Sequence, residues 1–220
     1  ERVMLKEGRA TGVALTSGQE FESARVISNA DPRRTFLDLV GPMELGPELV
    51  RKVKNIRFRG CTAKVHLALG ELPRFKGVPQ GGPHLNGVIS IAPSLEYLER
   101  GYDDAKYGAP SRRPYLEVSI PSVKEPDLAD PGKHIMSIVA QYVPYRLREG
   151  EWDGAARERL GDGVVATLSE YAPHLESAIL HRQVLTPLDL EETYGLPEGN
   201  IHHGEHTLDQ LLYMRPVPGH

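Results

Sequence analysis

Thr62-Ala-Lys-Val-His-Leu-Ala-Leu69 is the stretch on which the fold turns. Ala63, Val65, Leu67 and Leu69 fall on one face of an extended chain, and Lys64, His66 and Ala68 on the other. A strand with one apolar and one mixed face belongs in an antiparallel sheet covered on one side. Strands of a doubly wound parallel sheet are apolar on both faces.

The segments after Leu69 extend this sheet. Asn86–Ala92, Tyr115–Ile120, His134–Tyr142 and Ser177–Leu185 read as further strands. Between them, Ser94 can cap a helix carrying Leu95, Leu98 and Tyr102. Trp152–Tyr171 is the longest helical pattern, with Leu160, Val164, Val165 and Leu168 at helical spacing, although Gly161 and Gly163 weaken its centre. Thr186-Pro-Leu-Asp189 opens a short helix that ends at Gly195. Before Thr62 the chain is β-rich. Arg2–Lys6, Ala10–Leu15 and Glu20–Phe21 are short strands separated by Glu7-Gly8 and Ser17-Gly18, and Arg25–Ser28 reads as a fourth. Asp31-Pro32 then starts one helix, and Pro47 another that runs to about Asn55. The expected fold class is α+β: a mixed, largely antiparallel sheet with helices on one face, preceded by a small β-meander.

Composition narrows the function. Of 220 residues, 40% are hydrophobic and 25% charged, as in a folded domain. A net charge of -4 leaves no basic footprint for nucleic acid. Cys61 is the single cysteine, which excludes an intrachain disulfide framework and a cysteine-based zinc site, and it is expected to be a small buried hydrophobe. No apolar run approaches the length of a spanning helix and no signal peptide is seen, so a cytoplasmic location is expected.

Several chemistries lack their motifs. No Gly-x-Gly-x-x-Gly lies between a strand and a helix, and Gly77-Val-Pro-Gln-Gly81-Gly82 has the wrong spacing and contains Pro. The Walker loop, the Gly-x-Ser-x-Gly elbow and His-Glu-x-x-His are absent from the sequence. His202, His203 and His206 form the densest imidazole cluster. Adjacent residues in an extended segment point to opposite faces, so at most one of His202 and His203 pairs with His206, and no metal is expected. Asp103-Asp104 diverge on a helix and read as a solvated face.

Several stretches together resemble the phytoene-desaturase-like branch of the FAD-dependent amine-oxidase superfamily, on the side of the pyridine-nucleotide-disulfide-oxidoreductase-domain proteins. They are Gly12-Val-Ala-Leu-Thr-Ser-Gly18 with Ala24–Pro32, Val65–Leu69 with Leu72-Pro73, Asp103–Gly108, Gln141-Tyr-Val-Pro144, Thr186–Glu191 and Gly195–Gly204. The resemblance spans nearly the whole chain and implies an internal piece of a longer flavoenzyme, with both flavin-binding ends outside it. Residues 1–32 would be a remnant of the FAD-binding domain, 33–200 the substrate-binding domain, and 201–220 a segment returning toward the flavin.

The same resemblance implies the chemistry. The parent would be an FAD-dependent oxidoreductase that dehydrogenates or isomerises an apolar, isoprenoid-type substrate, with FAD expected in the parent and not on this chain alone. Asn29 and Ala30, in the Ser-Asn-Ala turn, would pass near the cofactor. His66, Gln141, Tyr142 and His202 would meet the substrate, and His203, between Gly199 and Gly204, would touch its reacting end. The uncovered sheet face is expected to be largely apolar, which implies self-association into a homo-oligomer and peripheral membrane contact of the parent. The competing reading is a non-enzymatic module that binds an apolar ligand or drives oligomerisation.

Overall fold

A computed structural model of the chain describes residues 1–218. The chain divides into two compact units, Glu1–Phe58 with the segment from Ile201 onward, and Arg59–Asn200.

The first unit opens with strands β1 (Arg2–Lys6), β2 (Arg9–Ala14) and β3 (Glu20–Glu22), paired antiparallel in that order. This is the expected meander. The fourth strand expected over Arg25–Ser28 does not form. Ser23 Oγ accepts from Arg25 N–H at 3.3 Å and donates to its carbonyl at 2.8 Å, and Ser28 Oγ accepts from Ala30 N–H at 3.3 Å. These local serine turns replace a strand ladder. Asp31 caps the following helix as its sequence implies, its Oδ1 accepting from Arg34 N–H at 3.1 Å, but Arg34–Val40 winds as a π-helix. Helix α1 (Pro47–Lys54) then packs Val53 with Ile56 and Phe58 in a small core, to which Phe36, Leu37 and Leu49 add partly buried surface. The Arg33 guanidinium lies 4.7 Å from the centre of the Phe58 ring.

The second unit is built on β4 (Thr62–Leu69), β5 (Ile89–Ile91), β6 (Tyr115–Ser119), β7 (His134–Gln141) and β8 (Ile179–Leu185). Their order is β5-β6-β7-β4-β8, and the recorded pairings are all antiparallel. β4 lies between β7 and β8 and pairs with β7 along its whole length, from Thr62 opposite Gln141 to Leu69 opposite His134. β5 is shorter than its sequence suggests, because Pro83–Asn86 forms a 3-10 turn instead.

One sheet face carries the core. Val65 and Leu67 of β4, Leu116 and Val118 of β6, and Met136 and Ile138 of β7 are fully buried. They pack with Trp152 and with Leu160, Val164 and Leu168 of α3 (Gly154–Ser169), each large side chain contributing ~1.5–3 kcal/mol of burial. Asp153 caps α3, accepting from Ala156 N–H at 2.7 Å.

α2 (Leu95–Lys106) is capped by Ser94, and its Tyr97 hydroxyl donates to the Pro114 carbonyl at 2.9 Å. The single turn α4 (Leu175–Ala178) leads into β8. α5 (Pro187–Tyr194) begins with a capping box of Thr186 and Asp189 and ends at Gly195 in the left-handed conformation. Arg157 of α3 grips Asp189 with two hydrogen bonds, at 3.0 and 2.6 Å. No helix among the described residues is long and apolar enough to cross a membrane.

Candidate functional site

The face of the five-stranded sheet opposite the core is the candidate surface that the strand period sets apart. Register across the strands aligns its side chains in rows. One row runs Ser90, Glu117, Val139, Lys64 and Leu185, and the next runs Ser119, Ser137, His66 and Gln183. Most of these residues are half-buried; Ser90 and Gln183 are exposed. The face is therefore mixed, with charged and hydroxyl groups set among Val139, Leu185, Ala68 and Ile135. That departs from the largely apolar face expected from the sequence. The physical reason lies in β6, whose outward residues Tyr115, Glu117 and Ser119 all carry polar groups, and in β7, where Ser137 and Gln141 alternate with Ile135 and Val139.

Glu117 anchors this surface. Its carboxylate accepts from the Tyr115 hydroxyl at 3.0 Å and from Gln141 Nε2 at 3.2 Å. All three side chains share a face, because Tyr115 and Glu117 are two residues apart and Tyr115 lies opposite Gln141. The His66 imidazole has a pKa lowered from 6.5, first by burial and then by the Lys64 ammonium. It is neutral at pH 7 and can both donate and accept a hydrogen bond.

Tyr142 follows directly on β7 with φ of 70°, a left-handed conformation uncommon for a non-glycine residue. It is held there by its carbonyl, which accepts from Ser111 N–H at 3.0 Å, and by an edge-on contact with Tyr102 at 5.9 Å. Burial raises its phenol pKa, and neighbouring Cys61 and Tyr115 add to the shift. Cys61 itself is exposed, which corrects the expectation of a buried hydrophobe. It stands one residue before β4, outside the alternation that buries Ala63 and Val65, and its carbonyl accepts from Val143 N–H at 2.9 Å.

His66, Gln141 and Tyr142 thus belong to one unit. His66 and Gln141 share the open face at different heights, since His66 pairs with Ser137 and Gln141 with Thr62. Asn29, Ala30, His202 and His203 belong to the other unit. Asn29 is exposed and Ala30 half-buried, the Ala30 carbonyl accepting from the Thr35 hydroxyl at 3.2 Å. His202 stacks on His206, with ring centres 4.7 Å apart, across a turn at 201–204 where extended chain is expected from the sequence. His203 is half-buried at φ of 58°. No group of three or more metal-ligating side chains gathers among the described residues. The sequence does not single out Glu117, Tyr115 or Ser137, and it marks Lys64 only as a neighbour of His66 on the mixed face. Alternation marks each as outward-facing, but only the register brings them together.

A dinucleotide pyrophosphate needs unpaired N–H groups at a helix start. The helix after Ala30 commits Arg34 N–H to the Asp31 carboxylate, and Pro32 has no N–H to offer. α2, α3 and α5 are capped by their own side chains. By contrast α1, which begins with Pro47 after Gly46, has no side-chain cap. What the open face can do is orient a molecule with an apolar body and a polar group, through Glu117, Lys64 and neutral His66.

No family model matches the chain. Pyridine nucleotide-disulfide oxidoreductase domain-containing protein 2 of Rattus norvegicus is 39% identical over 97% of the chain, and the match spans 38% of that protein. A lycopene-forming phytoene desaturase of Paracoccus sp. is 26% identical over 94% of the chain and 40% of its own length. A chloroplastic prolycopene isomerase of an Oncidium hybrid cultivar is 26% identical over 84% of the chain and 29% of its own length. The crystal structure of an oxidoreductase from Methanosarcina mazei shares the fold, with a TM-score of 0.51 at 20% identity over 84% of the chain and 36% of its own. The chain spans about two fifths of the length of the first of these relatives. Along nearly its whole length the chain is thus a homologue of pyridine nucleotide-disulfide oxidoreductase domain-containing protein 2 and, at lower identity, of phytoene desaturases and a prolycopene isomerase.

Proposed function

We propose that this chain supplies the substrate-facing sheet of an FAD-dependent oxidoreductase that dehydrogenates or isomerises an apolar, isoprenoid-type molecule. The observation that carries this reading is the 39% identity across 97% of the chain to a protein named as an oxidoreductase domain protein. The half-exposed sheet face supports it, because a flavin enzyme needs a shaped wall above its cofactor more than it needs an acid–base pair. The flavin carries the electrons when bound. Residues of this chain position the substrate and exclude water.

In this reading residues 1–32 border the flavin through Asn29 and Ala30, 33–200 hold the substrate, and 201–220 lead back toward the flavin with His202 and His203. Residues 219 and 220 of that segment lie outside the described residues. His66, Gln141 and Tyr142 line the substrate wall, together with Glu117.

The test uses a longer protein containing this segment. Purified protein should carry flavin absorbance and be bleached anaerobically by an isoprenoid polyene. Ser137→Trp, which plants an indole on the open face, should slow that bleaching at least ~10-fold. An unchanged rate with equal flavin content overturns the substrate-wall assignment. His203→Ala is checked in the same assay, and a change below about twofold removes His203 from the site. The 220-residue chain alone should bind FAD negligibly, and a stoichiometric yellow complex would contradict the placement of the dinucleotide site outside it.

A further inference from the structure

We propose that the unit Arg59–Asn200 also carries a binding site for a small amphipathic carboxylate, on the helix-covered side of its sheet. A cavity of about 350 Å³ opens there between the turn at 108–114, the turn at 147–152 and α3. That volume lies within the roughly 300–1,000 Å³ of small-molecule pockets. Leu147, Trp152, Leu160 and Val164 give it an apolar interior. Its mouth carries three guanidinium groups, Arg112, Arg148 and Arg159, against the single carboxylate of Glu149. Arg148 lies 3.3 Å from Glu149, while Arg112 and Arg159 have no ion pair among the described residues. An apolar interior under a cationic mouth matches an aliphatic tail ending in an anion.

Gly163 supplies an independent argument. Glycine inside a helix costs ~1 kcal/mol relative to alanine. Its neighbour Gly161 has a packing reason, since a Cβ there would stand 2.8 Å from both the Arg182 guanidinium carbon and Val184 Cγ2. A Cβ at Gly163 would meet nothing within 4 Å. What Gly163 contributes is room, and the room is the cavity it lines.

The walls are held before any ligand arrives. Arg148 N–H donates to the Gly108 carbonyl at 2.8 Å, joining the two turns. Trp152 Nε1–H is shared between the carbonyls of Pro144 and Tyr145, at 3.2 and 3.1 Å. Ser111 Oγ accepts from Arg113 N–H at 3.2 Å. A rigid site loses little entropy when it is filled.

Trp152 is the only tryptophan of the chain, so its emission reports on the cavity directly. The 220-residue chain is titrated with decanoate below its micelle concentration, alongside 1-decanol and acetate. Decanoate is expected to give a saturable, one-to-one change in emission, and acetate none. Gly163→Leu should weaken decanoate at least ~10-fold with circular dichroism unchanged, because its side chain occupies the tail's space. Gly163→Ala, which favours the helix, should weaken it about twofold and serves if the leucine variant does not fold. The double variant Arg112→Gln/Arg159→Gln should weaken decanoate about 5-fold and leave 1-decanol unchanged. A response that does not saturate overturns the site. Full affinity in the folded glycine variants does the same, and equal losses for decanoate and 1-decanol in the arginine variant overturn the anion assignment.

Discussion

Gly161 has no space for a side chain. β8 approaches α3 so closely that a methyl group there would meet Arg182 and Val184 at 2.8 Å. Gly161→Ala is expected to destabilise the protein by ~1–3 kcal/mol through overpacking, outweighing its gain in helix propensity. Gly163→Ala, with open space around it, is expected to stabilise by ~0.5–1 kcal/mol. Urea denaturation of the two variants checks the pair, and equal signs would refute the packing assignment. His66 offers a second check. Its pKa lies below 6.5 because burial, and then Lys64, disfavour the imidazolium. The unfolded chain therefore takes up the proton first, so the contribution of neutral His66 to stability is complete above about pH 6.5 and is lost as pH falls. Imidazole resonances followed by NMR should titrate below 6.5. In Lys64→Gln the value should rise only partway, since burial remains the larger cause.

The elements with strong local signals were legible in the sequence: β4 from its alternation, α2 from Ser94, α5 from Thr186 and Asp189. Arg25–Ser28 was not, because its branched residues favour a strand while Ser23 and Ser28 bind the nearby backbone and win. Nothing in the sequence marks the tie between Arg57 and the segment 205–210, which lie about 150 residues apart. Arg57 Nη2 reaches both Asp209 oxygens at 2.5 and 2.6 Å and the Thr207 hydroxyl at 3.0 Å. Gln210 completes the tie, accepting from Arg57 N–H at 2.7 Å and donating to the Arg57 carbonyl at 3.2 Å. The Arg57 hydrogen bond holds the Asp209 carboxyl at about 2, below its ordinary range, with help from Thr207. A depressed carboxyl pKa stabilises above the unfolded value near 3.8 and stops doing so as pH falls toward 2. Amide protection at 205–210, taken against the intrinsic exchange rate at each pH, should therefore fall between pH 4 and pH 2 before it falls in β4 and β7. In Asp209→Asn the same amides should exchange faster at neutral pH and lose most of that acid dependence. Protection that stays constant over this range in the wild type would show that the ion pair does not hold the segment.

The open sheet face was half legible. Alternation in Thr62–Leu69 and Tyr115–Ser119 separates outward from inward residues, so His66 could be assigned from the chain alone. That Glu117 sits between Tyr115 and Gln141, and Lys64 beside Val139, follows only from the register of β4, β6 and β7. The two units also differ in how much they bury. Arg59–Asn200 gathers 21 buried residues into one core, whereas the other unit's cluster holds three, Val53, Ile56 and Phe58. At ~1.5–3 kcal/mol for each large buried side chain, the smaller unit has far less to set against the entropy of its chain. Its meander is three strands with exposed edges, and Phe21 is about half exposed at 49%. Unfolding in urea is accordingly expected in two steps. Trp152 lies in the larger core, so its emission reports only the second step. Backbone amides of β1–β3 and α1, followed by hydrogen exchange at increasing urea, should lose protection at a lower midpoint than the Trp152 transition. Leu67→Ala, in the larger core, should lower the Trp152 midpoint by an amount corresponding to ~2–5 kcal/mol and leave the first step where it was. Coincident midpoints in the wild type, or a first step that moves with Leu67→Ala, would show that the chain unfolds as a single cooperative body.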